Sequence, residues 1–477
     1  MYDKSRLHPI SIFYGIIRRL KELIFPFIGI ILVGGSPSEW ELLTIIIVSV
    51  ILLALVIGGG LSWYYFSYYV AERELRIEYG VFVKKKRYIP FERIQSMDYT
   101  EGLLHRPFRL VKVKIETAGG AGEAEAELAA ISRIQAEDLK EFITNNKYSD
   151  STAFEEDTPK KSSEKELVYQ ITNGQLMALA ATSGGIGVII SAIIAFVSQF
   201  ENLIPYKLIF SHVRQFVSSG IAFISLVIFL IVFFLWICSL LITVLKFANF
   251  TLSRSEKDII ITRGLLEKKQ ITIPIDRIQA IKITENPLRQ PFKLASLYII
   301  SAGGSLTDME AATVLAIPIM RKKNIAEICK KIVPDYEMNE TITSPPRRAL
   351  WRYLIKCSWF AIPISTILIF YFHLWGLLSL LLLIILPVWG YMKFRSAGYY
   401  LSNKQLTLCY RQIDQSTIVM KRNRVQVLYY TEGPWQKKGN FGSIHGVVAS
   451  GVGGATGVVT DLSIEDVHKI YDWYSTK

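Results

Sequence analysis

The residues best placed for polar chemistry are four consecutive cations, Lys84, Lys85, Lys86 and Arg87. Beside an anionic leaflet each such charge gains up to about 1 kcal/mol from lipid headgroups. Headgroup contact is therefore the functional reading of this run, and an exposed, solvated hairpin is the plainer one. A second set stands out by recurring. Arg93, Gln95, Thr100 and Glu101 return as Arg277, Gln279, Thr284 and Glu285, and again as Arg424, Gln426, Thr431 and Glu432. A reactive centre rarely needs three instances on one chain, whereas a fold needs its turns and hydrogen bonds every time. These residues are read as structural, with contacts between domains as their other role.

The residue types that usually carry catalysis are not arranged for it. His8, His105, His212, His373, His445 and His468 show neither H-x-x-x-H nor H-E-x-x-H spacing. Ser443 and His445 sit too close in sequence to suggest a nucleophile and base, and Ser162 to Lys165 falls in a polar linker. The glycines of 446–457 lack a following G-K-[ST] and read as a hairpin rather than a phosphate loop. Cys238, Cys329, Cys357 and Cys409 form no CxxC pair and read as structural thiols in a reducing compartment. No catalytic residue, cofactor or metal is expected, and the chain is not expected to be an enzyme.

The elements that position these residues are repeated. The stretch Ile89 to Gly120, IPFERIQSMDYTEGLLHRPFRLVKVKIETAGG, aligns without a gap on Ile273 to Gly304, IPIDRIQAIKITENPLRQPFKLASLYIISAGG. Extending back to Glu72 and Glu256 pairs Gly80 with Gly264 and Lys84 and Lys85 with Lys268 and Lys269. The result is roughly 19 identities in about 49 positions, where unrelated sequence would give about 3. A third copy keeps the spacing from Arg424 to Glu432 and from Ala449 to Gly451. It lacks the Ile-Pro pair, has Arg411 where the others place a turn glycine, and loses the basic hairpin.

Within a copy, Val111, Val113 and Ile115 alternate with Lys112, Lys114 and Glu116, the period of a half-buried strand. Gly80 and Gly264 suit turns that need positive φ, and Pro90 and Pro274 point to edge strands. Helical spacing predicts closing helices over roughly Ser132 to Thr144, Arg321 to Ile332 and Ser463 to Tyr474.

These features resemble a known family. Short strands, an I-P-x-x-R-I-Q segment, a T-E-x-x-L-x-x-P-F-x-L connection, a strand ending in A-G-G and a closing helix are similar to the bacterial pleckstrin-homology-like domain of YdbS/YdbT-type membrane proteins. Three copies and the opening R-L-H-P at Arg6 to Pro9 resemble the longer, YdbT-like members. The resemblance implies pleckstrin-homology-like barrels and a bacterial plasma-membrane location; it carries no general biochemical activity, and a fold alone does not supply one.

Hydropathy completes the module. Half of the chain is hydrophobic (51%) and the excess lies in runs, which is membrane composition. About 20 apolar residues cross a hydrocarbon core. Spans are expected over about Leu23 to Gly35, Leu42 to Ser62, Leu176 to Val197, Ile221 to Leu245, Leu354 to Phe370 and Leu374 to Trp389, the last two in a tight hairpin around His373. The net charge of +13 flanks these runs instead of forming a basic tail or recognition helix, so nucleic acid is not an expected partner. Arg18, Arg19, Lys21, Arg73, Arg76, Lys246, Arg254, Arg347, Arg348, Arg352, Lys393 and Arg395 place both termini and all β domains in the cytoplasm. No cleavable signal is evident ahead of the first span.

The expected fold class is therefore an α+β membrane protein with six transmembrane helices in three hairpins, each followed by a small pleckstrin-homology-like β barrel or sandwich with a C-terminal helix. Residues 1–70 hold an amphipathic N-terminus and hairpin 1, 71–146 domain 1, 147–166 a flexible linker that lets the first module move, 167–247 hairpin 2, 248–334 domain 2, 335–346 a linker, 347–393 hairpin 3 and 394–477 domain 3. The expected function is protein binding and assembly without catalysis, in envelope stress or toxic-compound resistance. The partners would be the lipid bilayer, a membrane protein with pleckstrin-homology-like domains, or copies of the chain itself. Export of a small molecule or lipid, and sensing of anionic lipid, are the alternatives.

Overall fold

The computed structural model describes residues 4–17, 20, 37–117, 126–147, 165–183, 221–302, 312–338, 341–451 and 454–475. Each repeat is two three-stranded antiparallel meanders joined by a 3-10 turn and closed by a helix. Domain 1 has β1 (Ser67–Ala71), β2 (Glu74–Tyr79) and β3 (Lys85–Pro90), the turn Phe91–Arg93, then β4 (Ile94–Glu101), β5 (Leu110–Thr117), β6 (Ala126–Ser132) and the helix Arg133–Lys147. A short strand, β7 (Glu166–Gln170), comes ahead of the apolar helix Ile221–Phe247. Domain 2 then follows with β8 (Thr251–Arg254), β9 (Asp258–Arg263), β10 (Lys268–Pro274), β11 (Ile278–Glu285), β12 (Leu294–Ser301), β13 (Thr313–Arg321) and the helix Lys322–Ile332. Domain 3 repeats the plan with β14 (Gly398–Leu401), β15 (Gln405–Arg411), β16 (Gln415–Lys421), β17 (Val425–Thr431), β18 (Phe441–Val448), β19 (Ala455–Ser463) and the helix Ile464–Ser475.

The strands form where apolar residues alternate. Val113 and Ile115 on β5 are fully buried and the intervening lysines are not, because successive side chains point to opposite faces. The recurring glutamine marks an irregularity that repeats: pairing slips by one residue at Gln95 between β4 and β5, at Gln279 between β11 and β12, and at Gln426 between β17 and β18. One extra residue there bends the strand. Gly80 and Gly264 have φ of 112° and 105°, and a Cβ would lie 2.0 Å from the carbonyl oxygens of Val83 and Glu267.

The domains are not beads. β4 of domain 1 pairs with β10 of domain 2 in one seven-stranded sheet, and β11 of domain 2 pairs with β16 of domain 3 in a six-stranded sheet. The expectation that the first module moves relative to the second is corrected by this pairing, which joins them through main-chain hydrogen bonds. The edge assignment for Pro274 is corrected as well. β10 lies inside its sheet, but Pro274 ends the strand beyond the three residues that pair with β4, so its missing N–H breaks no bond there. Pro90 ends β3, which pairs only with β2 among the described residues.

The residues ahead of each expected hairpin fold back onto the domain that follows it. Ser5 bridges Tyr68 of β1, β7 pairs with β8, and Thr343 bridges Tyr399 of β14. Three described helices are long and apolar enough to cross a membrane: Phe229–Phe247, Arg347–Phe372 and Gly376–Ser396. The last two meet at His373, where Ser365 donates to the Ser379 carbonyl at 3.0 Å. The second expected span falls within the helix Pro37–Tyr65. The first lies outside the described residues, as does most of the third, of which only residues to Ser183 are seen.

Replacing Gly264 by Ala puts a side chain where φ is positive and a carbonyl blocks it. It is expected to lower stability by more than about 1 kcal/mol, read as a drop in the thermal unfolding midpoint.

Candidate assembly surfaces

Both joins use the same register. At the first, Glu101, Thr100 and Tyr99 stand opposite Lys268, Lys269 and Gln270. At the second, Glu285, Thr284 and Ile283 stand opposite Gln415, Ser416 and Thr417, and the pairing continues to Ala280 and Met420. Glu101 and Glu285 are equivalent in the repeat, and so are Lys268 and Gln415. The recurring Thr-Glu pair is thus where one domain meets the next. The glutamate also ties its strand to its own closing helix: Glu101 pairs with Arg133 at 2.6 Å and Glu285 with Lys322 at 2.6 Å.

Each join has its own chemistry. Where main-chain pairing stops at the first, the buried Asp98 carboxylate accepts the Thr272 N–H at 3.0 Å. Burial, with Glu116 nearby, pushes this carboxyl up to about 7, against the opposing pull of the Thr272 N–H, Lys269 and Lys114. At the second join, the residue that replaces the turn glycine is the clamp. The Arg411 guanidinium, buried, donates to Ser396 Oγ at 3.0 Å, to Gln290 Oε1 of domain 2 at 2.8 Å and to Gln415 Oε1 at 3.1 Å. Residues expected as a linker are pinned here too. Tyr336 is buried in the domain 2 core, Asp335 pairs with Lys421 at 2.9 Å, and the main chain of Glu337 exchanges two hydrogen bonds with the Gln405 amide. Arg424 donates to the Asp276 carbonyl at 2.7 Å. The hydrophobic cores merge as well, Val419 packing with domain 2 and Ala280 and Ile300 with domain 3.

The joins leave a cleft of about 960 Å³ lined by all three repeats, among them Gln95, Pro274, Arg277 and Arg424. Sequence-flagged residues from three copies are brought together in this cleft, on a surface of mixed charge. No cluster of three or more metal-ligand side chains occurs among the described residues. Arg93 ends the 3-10 turn of domain 1. Ser443 and His445 do not engage each other: Ser443 accepts from Gln436 at 2.8 Å, and His445 lies 3.2 Å from Thr431 Oγ1. Cys329 and Cys409 are buried, and burial pushes the Cys329 thiol up to about 12.

At the ends of the array, the equivalent strands are exposed. Lys84, Lys85, Lys86 and Arg87 lie on or beside β3, facing solvent. Lys86 reaches Glu78 at 3.3 Å and Arg87 lies over the Tyr79 ring. β17 is the counterpart of β4 and β11; Thr431 and Glu432 are exposed, and Ile464 stands where Arg133 and Lys322 hold the other glutamates.

Domain 3 is fastened to its membrane hairpin by a buried acid that the sequence did not single out. Asp461, fully buried at φ 54°, accepts from Arg352 at 2.8 Å, from Gln436 at 2.9 Å and from Lys356. Burial raises its carboxyl, but the hydrogen bonds from Lys356, Arg352 and Gln436 outweigh it and hold the group below its ordinary value. Arg352 and Lys356 are one helical turn apart, a spacing that could have suggested a shared anion.

Repeated small β domains with a closing helix, carried on apolar helices, define a class: the chain belongs to the bacterial PH domain family. The Bacterial PH domain family matches it three times, over residues 24–147, 189–333 and 359–477. It is 35% identical, over 100% of its length and 99% of the relative's, to UPF0699 transmembrane protein YdbT of Bacillus subtilis (strain 168). The chain is thus a transmembrane protein with repeated bacterial PH domains.

Two outcomes test the contacts. The native fold keeps the Asp98 proton up to about pH 7, while an unfolded chain releases it near 3.8, so folding stability falls as pH rises through that window. Asp98→Asn, which stays neutral and keeps an acceptor for Thr272, is expected to flatten that part of a profile of unfolding midpoint against pH. Asp461→Ala leaves two cations facing a buried void and is expected to cost roughly 2 kcal/mol, below the usual range for a broken buried pair because Lys356 is half exposed. Limited proteolysis should then cut between hairpin 3 and domain 3 several-fold faster.

Proposed function

We propose that this is a multi-pass plasma-membrane protein with six spans in three hairpins and both termini and all three domains in the cytoplasm. Its role is non-catalytic: the three domains form one assembly platform for a partner membrane protein with PH-like domains or for further copies of the chain. The observation that carries this reading is the edge-to-edge pairing of successive domains in a common register. A surface whose own repeats recognise one another by main-chain pairing is suited to adding another domain of the same kind. Attachment to the bilayer raises the effective concentration of such domains, so weak contacts suffice.

Topology is supported by the backbone pairings that close each expected hairpin. Ser5 meets Tyr68, β7 meets β8 and Thr343 meets Tyr399, so each intervening segment leaves from and returns to one domain, which favours an even number of crossings. The flanking cations favour the cytoplasm for that side. Contact of Lys84, Lys85, Lys86 and Arg87 with anionic headgroups is a second reading, favoured by their exposure on and beside β3.

Purification of the full chain in mild detergent after crosslinking in membranes is expected to yield a defined oligomer or a stoichiometric partner. A strictly monomeric, partnerless protein would sink the assembly reading.

A further inference from the structure

Every domain has one edge of the β3 type and one of the β4 type, and the chain uses each kind twice. β10 and β16, the counterparts of β3, accept β4 and β11. That leaves, among the described residues, β3 at one end of the array and β17 at the other, each hydrogen-bonded on one side only. Resting on the assembly reading above, we propose that β17 of one chain pairs with β3 of a second copy, head to tail, in the register of the two internal joins. Thr431 then stands opposite Lys85, Tyr430 opposite Lys86, and Glu432 beside Lys84.

Three observations select this occupant. The first is exposure at equivalent positions. Thr272 is 5% exposed inside the first join, and its counterpart Tyr88 on β3 is 53% exposed; Ala280 is 0% exposed inside the second, and its counterpart Val427 on β17 is 50% exposed. Tyr429 and Tyr430 of β17 are exposed with it. The second is charge. Glu432, without the helix cation that holds Glu101 and Glu285, faces the basic run Lys84 to Arg87, as Glu101 faces Lys268 within the chain. The third is exclusion of the symmetric alternative. Two β3 strands would bring lysines and arginines face to face, and like charges directly opposite oppose pairing; lysine on an edge strand is a recurrent guard against such self-pairing. A head-to-tail contact is heterologous, so the copies close into a ring or extend as a filament.

Directly opposed residues of an antiparallel pair are close enough for a disulfide. The test uses full-length protein in membranes, with two differently tagged chains co-expressed and oxidised. Lys85→Cys in one and Thr431→Cys in the other are expected to give a mixed-tag crosslinked dimer that neither variant gives alone. Wild type controls for the four native cysteines. Adding Glu432→Lys to the Thr431→Cys chain should lower the yield several-fold, and Lys84→Glu on the Lys85→Cys chain should restore it, which a misfolded variant could not do. An oligomer of defined size without this crosslink overturns head-to-tail pairing and leaves the assembly reading standing on another surface; a monomer ends both. A crosslink between two Lys85→Cys chains overturns the proposal. So does slowed amide exchange of β3 that depends on anionic lipid in nanodiscs holding a single chain, since the edge would then face the bilayer.

Discussion

The edge of a three-stranded sheet presents a row of backbone donors and acceptors that needs a partner. In this chain the partner is supplied by the next repeat. The three strands of one meander leave an edge open; fused across domain boundaries, such meanders become sheets of seven and six strands. That single choice fixes the orientation of the domains, places the 3-10 turns of neighbouring copies around a common cleft, and sets the cores of domains 2 and 3 against one another.

Duplication made the joins alike, and divergence has made them different. The first pairs three residues on each strand and then hands the ladder to the Asp98 side chain. The second pairs six, and has lysine, Lys282, where the first has that aspartate. Loss of the turn glycine in the third copy looks like decay in sequence; in space it is a gain, since the arginine in its place reaches Gln290 in the neighbouring domain. A substitution of this kind is tolerated because Arg411 does not carry the positive φ of Gly264.

Local features were legible. The alternation along β5, the positive φ of Gly80 and Gly264, the closing helices and the repeat itself follow from spacing and residue type, which the chain displays openly. Main-chain pairing between domains was not, because it depends on backbone geometry and any side chain pointing away from it is acceptable. Pro274 misled for this reason: proline argues against pairing through its own N–H, not against a neighbour four residues earlier on the strand. Asp98 and Asp461 passed unnoticed since one carboxylate among apolar neighbours is indistinguishable from a surface residue until its donors are seen. β7 carries buried Tyr169, with Ile171 buried just beyond it, but five residues at the boundary between the expected linker and hairpin 2 are too few to read as a strand.

The chain before each apolar segment pairs with the first strand after it, as a strand at β7 and through a single bridge at Ser5 and at Thr343. Seen along the polypeptide, the apolar part of each module is therefore an insertion into a loop of a β domain, and not a stalk from which the domain hangs. Loops tolerate changes of length and composition that sheets do not. The apolar helices are thus free to drift in length and packing to suit the bilayer while the β scaffold stays constant, an arrangement that separates evolution of the two halves of each module.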